Sequence, residues 1–187
     1  MTKTKSDIQL LKDVKKDIIR INNKAGVGHC PSSFSSLEIM YVLYSKIANI
    51  TKQNANDLQR DRVIISKEHC YAGRVCLLAK LGLIPSSYLD TYIEKDGKLA
   101  HDIYGLVGDK EIACLDVSSG SLGHGLGVGA GLAVGSPKNN IYVIVGDGEL
   151  QEGSCWEALN FIGYHKIKNL TVIVDKNNMQ NVTWSFY

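Results

Sequence analysis

Two apolar, β-branched runs that stop abruptly at oxygen-bearing side chains limit what this chain can fold into. The first is Tyr142-Val143-Ile144-Val145, closed by Gly146-Asp147-Gly148; the second is Val172-Ile173-Val174, closed by Asp175-Lys176-Asn177. Such runs read as strands buried on both faces, as in parallel sheets. Between them, Ser154-Cys155-Trp156-Glu157 has the Ser-x-x-Glu form of a helix capping box, and mixed apolar sequence continues to His165. Strand, helix and strand within about thirty residues make a βαβ unit with a right-handed crossover. The expected class is α/β with a parallel sheet.

That arrangement puts Asp147 and Asn177 at the carboxyl ends of two parallel strands, where open α/β sheets bind ligands. A carboxylate and an amide oxygen there suit a hard divalent cation. Mg²⁺ takes one or two protein oxygens and completes its octahedron with phosphate and water. The glycines flanking Asp147 let backbone N–H groups approach a phosphate closely. Taken alone, either residue reads more readily as an Asp in a tight turn or an Asn at a loop start, and the metal reading needs the two together.

The rest of the composition excludes more than it suggests. With 187 residues the chain has the length of one domain, enough to bury roughly 70% of its unfolded surface. A net charge of +2 gives no reason to expect nucleic acid or a membrane surface. Five scattered cysteines, odd in number and without a Cys-x-x-Cys pair, point to reduced thiols rather than a disulfide framework or a zinc site. No apolar run is long enough to span a bilayer and Met1 to Lys5 does not open a signal peptide, so a cytoplasmic protein is expected.

Upstream, Ser6 to Ile21 reads as an amphipathic helix with a Ser6–Gln9 capping box and a stripe of Ile8, Leu11, Val14, Ile18 and Ile21. A polar loop carries Gly28-His29-Cys30-Pro31, and a second helix follows with Ser35 and Glu38 as its cap. Arg62 to Ser66 is a short strand with Lys67-Glu68-His69 at its carboxyl end. A helix from Ala72 to Lys80 and a shorter one from Pro85 come next, then a polar stretch with His101 and an extended segment from Ile112 to Val117. Gly123, Gly127, Gly131 and Gly135 recur every fourth residue. Glycine inside a helix costs roughly 1 kcal/mol against alanine, so this bare face predicts close packing against another helix.

His29, His69 and His101 all fall in loops near element ends, which suits a polar pocket that binds an oxygen-rich substrate and moves protons. A different reading starts from Gly125-Leu126-Gly127-Val128-Gly129-Ala130, which fits the dinucleotide fingerprint G-x-G-x-x-A. An NAD-binding dehydrogenase fragment is the corresponding alternative, although it leaves Gly148 and Asn177 without a role.

Gly146-Asp147-Gly148, with Asn177 thirty positions after Asp147, resembles the thiamine-diphosphate fingerprint. Within that group, Gly148-Glu149-Leu150-Gln151-Glu152-Gly153-Ser154-Cys155-Trp156-Glu157-Ala158 resembles transketolase. Gly28-His29, Ser66-Lys67-Glu68-His69, Leu99-Ala100-His101 and Gly120-Ser121-Leu122-Gly123-His124-Gly125 follow the same family in collinear order, from about residue 8 to residue 180.

The resemblance implies a three-layer αβα fold with a mostly parallel sheet, the diphosphate-binding (PP) type of the thiamine-diphosphate fold. A single such domain spans residues 1–187, incomplete at its carboxyl end relative to the family and without a pyrimidine-binding (Pyr) domain. Asp147, the Asn177 side chain and the Met179 carbonyl would ligate Mg²⁺, with Ca²⁺ or Mn²⁺ as substitutes. Gly148 and His69 would contact the diphosphate of thiamine diphosphate, and Gly120, Ser121 and Leu122 would line the pocket. Asn177 serves the cofactor as well as the metal, and Glu152 belongs to the cofactor site where subunits meet. His29 and His101 would be the catalytic pair, hydrogen-bonding sugar hydroxyls and shuttling protons.

The activity implied is transfer of a two-carbon ketol unit between sugar phosphates. It requires a partner subunit that carries the Pyr domain, in an assembly with two copies of each chain. Glu68 departs from the family's glycine and His124 from its glutamine, and the Asn181-Val182-Thr183-Trp184 stretch departs from its Asp-Gly turn. Glu68 and the early carboxyl end motivate a second alternative, a PP-type remnant that binds Mg²⁺-diphosphate or a partner without turnover.

Overall fold

The computed structural model describes residues 4–94, 97–99, 112, 114–117, 121–180 and 183–184. Its centre is a parallel sheet of β1 (Arg62–Ile65), β2 (Ile141–Gly146) and β3 (Leu170–Asp175), in the order β1-β2-β3. Arg62 stands opposite Ile141, which in turn faces Leu170, and Gly146 faces Asp175 at the other end.

Strand periodicity sorts the side chains into two cores. Val63, Ile65 and Ile144 face a layer formed by α1 (Lys5–Ala25), α2 (Cys30–Val42) and α3 (Tyr71–Lys80). Ile64, Val143 and Val145 face the opposite layer, α4 (His124–Gly135) and α5 (Gly153–Tyr164). The result is the three-layer αβα arrangement expected. β2 is buried along nearly its whole length, as an inner strand must be, whereas β3 is half-exposed and carries an open Val174. The expectation of burial on both faces therefore holds for β2 and fails for β3, which lacks a second neighbour among the described residues.

Each predicted capping box sits too far along the chain. α1 is capped by Thr4, whose hydroxyl accepts from Asp7 N–H while the Asp7 carboxylate accepts from Thr4 N–H. Ser6 lies inside the helix. α2 starts at Cys30, with Pro31 in its first turn and His29 as its cap, so Ser35 and Glu38 are interior. α5 begins at Gly153 after Glu152, without a side-chain cap. The stripe of α1 buries Leu11, Val14, Ile18 and Ile21 but leaves Ile8 exposed. The described residues between Ile112 and Val117 form no strand, and Cys114 has a left-handed backbone.

The glycine-rich helix packs differently from expectation. Gly127, Gly131 and Gly135 face open space, whereas a Cβ on Gly125 would meet Ser66 and one on Gly129 would lie 2.4 Å from a methyl of Val143. Close approach is needed, but against the sheet, and in the frame of Gly125 and Gly129. Gly129→Ala should destabilise the fold by about 1–3 kcal/mol through overpacking. Gly131→Ala should stabilise it by about 0.5–1 kcal/mol. Urea unfolding of the two variants measures both signs.

Among the described residues no helix is long and apolar enough to cross a membrane. All five cysteines are free, four of them buried. Burial pushes the Cys155 thiol up to about 11, reinforced by Glu149 and Glu152, as befits a core thiol rather than a reactive one.

Candidate functional site

The carboxyl ends of the three strands carry Asp147, Asn177, Met179 and His69 of the predicted site residues. Asp147 follows β2 directly and is buried, and its Oδ2 accepts the Asn178 N–H at 2.7 Å while Oδ1 accepts the Gly148 N–H at 3.1 Å. Asn178 adopts a left-handed backbone, φ 59°. Short polar side chains tolerate that conformation better than most. This turn brings Asn177 and Met179 beside Asp147. The Asn177 Oδ1 accepts the Met179 N–H at 2.8 Å, which fixes the amide's orientation.

A second cluster backs this turn. Lys67, almost fully buried at the end of β1, donates to Asp175 Oδ2 at 2.5 Å and to Ser35 Oγ at 3.3 Å. The Ser35 hydroxyl lies 2.7 Å from the same Asp175 oxygen, and Asn177 Nδ2 reaches Ser35 Oγ at 3.5 Å. Helix α2 and strands β1 and β3 are thus tied at one point behind Asn177. Sequence reading took Ser35 for a helix cap and gave Lys67 and Asp175 no individual role. An apolar strand that ends in a lone lysine or aspartate was the available signal.

His29 and His69 come together as expected, with ring centroids 5.3 Å apart in an edge-to-face arrangement. His29 Nδ1 accepts the Ser32 N–H at 3.1 Å, so the proton of its neutral ring sits on Nε2. Although His69 is exposed at the surface, partial desolvation of its ring, then Lys67 and His29, push it down to about 4 from its ordinary 6.5, against the pull of Asp175. The folded value lies below the unfolded one, so the unfolded chain takes up the proton first. Stability is undiminished above about pH 6.5 and falls as pH drops from there toward 4. An NMR titration should find the His69 imidazole still neutral at pH 5.5. Protonation near 6.5 would contradict that environment.

Ser121 and Leu122 are exposed ahead of α4, and Glu152 is exposed at the start of α5. A Cβ on Gly123, φ 84°, would meet Glu152 and Ser154, which places this loop against the start of α5. His101 and Gly120 lie outside the described residues, as does the Glu68 side chain.

Glu149 was missed. It is buried at 2% exposure, and its carboxylate accepts from the Ser66 hydroxyl, from Gly123 N–H at 2.7 Å and from Gly146 N–H at 3.0 Å. Glutamate is ordinarily a surface residue, and two of its three donors, Ser66 and Gly123, come from distant parts of the chain, so no local pattern flags it.

Among the described residues no cluster of three His, Cys, Asp or Glu side chains could hold a metal. The available donors are instead one carboxylate, one amide oxygen and backbone carbonyls. That hard oxygen set fits Mg²⁺ completed by phosphate and water, and does not fit zinc. The dinucleotide alternative fails on geometry. Gly125 to Ala130 lie inside α4 with Gly125 and Gly129 against the sheet, not in a turn leaving a strand.

Residues 6–182 match the family described as transketolase, thiamine diphosphate binding domain. The chain belongs to the transketolase family. It is 37% identical, over 90% of its length and 62% of the relative's, to one subunit of an apulose-4-phosphate transketolase from Actinobacillus succinogenes. It is 33% identical to human transketolase, matching 92% of this chain and 28% of that one. In fold it superposes on a transketolase structure from Leishmania mexicana with a TM-score of 0.79, at 24% identity, over 92% of this chain and 27% of that one. The chain therefore spans about three-fifths of the subunit-type relative and little more than a quarter of the full-length transketolases. The transketolase-type αβα fold and the thiamine-diphosphate-binding character of the domain follow from these matches.

Proposed function

We propose that this chain is the diphosphate-binding subunit of a thiamine-diphosphate-dependent transketolase, active when joined to a second polypeptide that carries the Pyr domain. The observation that carries this reading is the pairing of Asp147 with the Asn177–Met179 turn at adjacent parallel strand ends, held by the Asn178 N–H to Asp147 hydrogen bond. Asp147, the Asn177 amide oxygen and the Met179 carbonyl would hold Mg²⁺. Gly148 and His69 would meet the diphosphate, with Gly120, Ser121 and Leu122 along the same pocket and Glu152 where subunits meet.

The cofactor, when bound, supplies a stabilised carbanion for making and breaking carbon–carbon bonds; the protein supplies binding, orientation and electrostatics. His29, with its proton on Nε2, is suited to donate a hydrogen bond to a sugar oxygen, orienting the substrate and stabilising negative charge that develops on that oxygen. His101 shares that work. His69, held neutral, can donate one hydrogen bond to a phosphate oxygen. Sugar phosphates are the substrates.

The need for a partner is supported by a relative named as one of the subunits of an apulose-4-phosphate transketolase. Ketol transfer from a ketose phosphate to an aldose phosphate, measured with the chain alone and then with a Pyr-domain partner present, is the test. Activity only in the mixture supports the proposal. Cofactor binding without transfer in the mixture identifies a non-catalytic binding domain instead.

A further inference from the structure

We propose that Glu149 is a positioning residue that sets the spacing between the metal ligand and the two segments that flank the diphosphate; this rests on the function proposed above. Its two carboxylate oxygens collect three donors from three places. Oε1 takes the Ser66 hydroxyl, from the end of β1, and the Gly123 N–H, from the loop before α4; Oε2 takes the Gly146 N–H, from the end of β2. The residues next to those donors are the ones assigned to the site. His69 stands three positions after Ser66, Ser121 and Leu122 lead into Gly123, and Asp147 follows Gly146.

The chemistry requires a carboxylate. All three partners are donors, and an ionised carboxylate is the side chain that accepts on both oxygens and donates nothing. A glutamine of the same size would turn an N–H₂ group toward at least one N–H or hydroxyl and leave a buried donor without an acceptor. Glu149 is 2% exposed, so water cannot stand in for the lost oxygen. The surrounding packing explains why the site is dry, but not why it holds a charge. Fixing three loops at once does explain it.

The test uses the 187-residue chain, joined to a Pyr-domain partner for the cofactor measurement, with two readouts. In Glu149→Gln, amide exchange at Gly123 and Gly146 should accelerate while exchange in Val143 to Val145 stays slow. Affinity for thiamine diphosphate with Mg²⁺ should fall about 10–100-fold, the usual cost of losing a group that orients ligands. Wild-type affinity in that variant, or a loss that merely tracks global destabilisation in urea, would overturn the positioning role. Should Glu149→Gln not fold, Glu149→Asp keeps the charge and shortens the reach. Affinity about tenfold weaker supports the proposal there, and unchanged affinity overturns it. If the wild-type chain joined to its Pyr-domain partner binds no thiamine diphosphate with Mg²⁺, the proposed function falls. Amide exchange then judges the clamp by itself: acceleration at Gly123 and Gly146 supports it, and unchanged protection overturns it.

Discussion

Asp147→Ala is expected to abolish Mg²⁺-dependent binding of thiamine diphosphate while leaving the chain folded. Asp147 is the only charged side chain among the proposed metal donors, and the other two are a neutral amide oxygen and a backbone carbonyl. Mg²⁺ parts with water reluctantly and needs that charge to be held near phosphate. The variant also removes the acceptor for Asn178 N–H, which loosens the turn that presents Asn177 and Met179. Asp147→Asn separates the two effects. It preserves an oxygen for the Asn178 N–H but no charge, and should bind nearly as poorly as the alanine variant. Calorimetric titration of each variant with cofactor and Mg²⁺ makes the comparison. Affinity near wild type in either one removes Asp147 from the metal site.

Asp175→Ala is expected to cost about 3–5 kcal/mol of folding stability, because it strands a buried lysine. Lys67 is 1% exposed, and Asp175 is the one carboxylate it pairs with among the described residues. A loss of that size is a large part of the roughly 5–15 kcal/mol that a domain possesses. Replacing both partners, as in Lys67→Met with Asp175→Ala, should recover most of it, since an apolar pair needs no compensation. Urea unfolding of the single and double variants is the measurement. A single variant within about 1 kcal/mol of wild type would show that the pair is not isolated from water. Because Ser35 joins Asp175 to Asn177, the single variant should also weaken cofactor binding.

Much of the fold was legible because the strands are written in one alphabet. Val143, Ile144 and Val145 are β-branched, uninterrupted and closed by Gly-Asp-Gly, and burial on both faces leaves few other structures for such a run. Helix starts were less legible, because Ser or Thr followed three residues later by an acid or amide recurs inside helices as well as at their ends. Thr4 and Ser6 both satisfy the pattern, and only Thr4 has the extended backbone a cap requires. For α2, Pro31 was the better marker, since proline fits the first turn and Ser35 lies beyond it.

The glycine frame shows the same limit from another side. The period of four is real, but α4 turns Gly125 and Gly129 to the sheet and leaves Gly127, Gly131 and Gly135 outside. At the site, Asp147, Asn177 and His69 could be read because they end elements near one another in a βαβ scheme. Glu149 and the Lys67–Asp175–Ser35 cluster could not, because their partners meet only once the helices close over the sheet.

The central claim is that these strand ends hold a diphosphate through a divalent cation. Titrating thiamine diphosphate into the chain joined to a Pyr-domain partner, once with Mg²⁺ and once with a chelator, tests it most directly. Saturable binding with the metal and none with the chelator is the predicted result. Equal binding in both, or no binding with Mg²⁺ present, would contradict it.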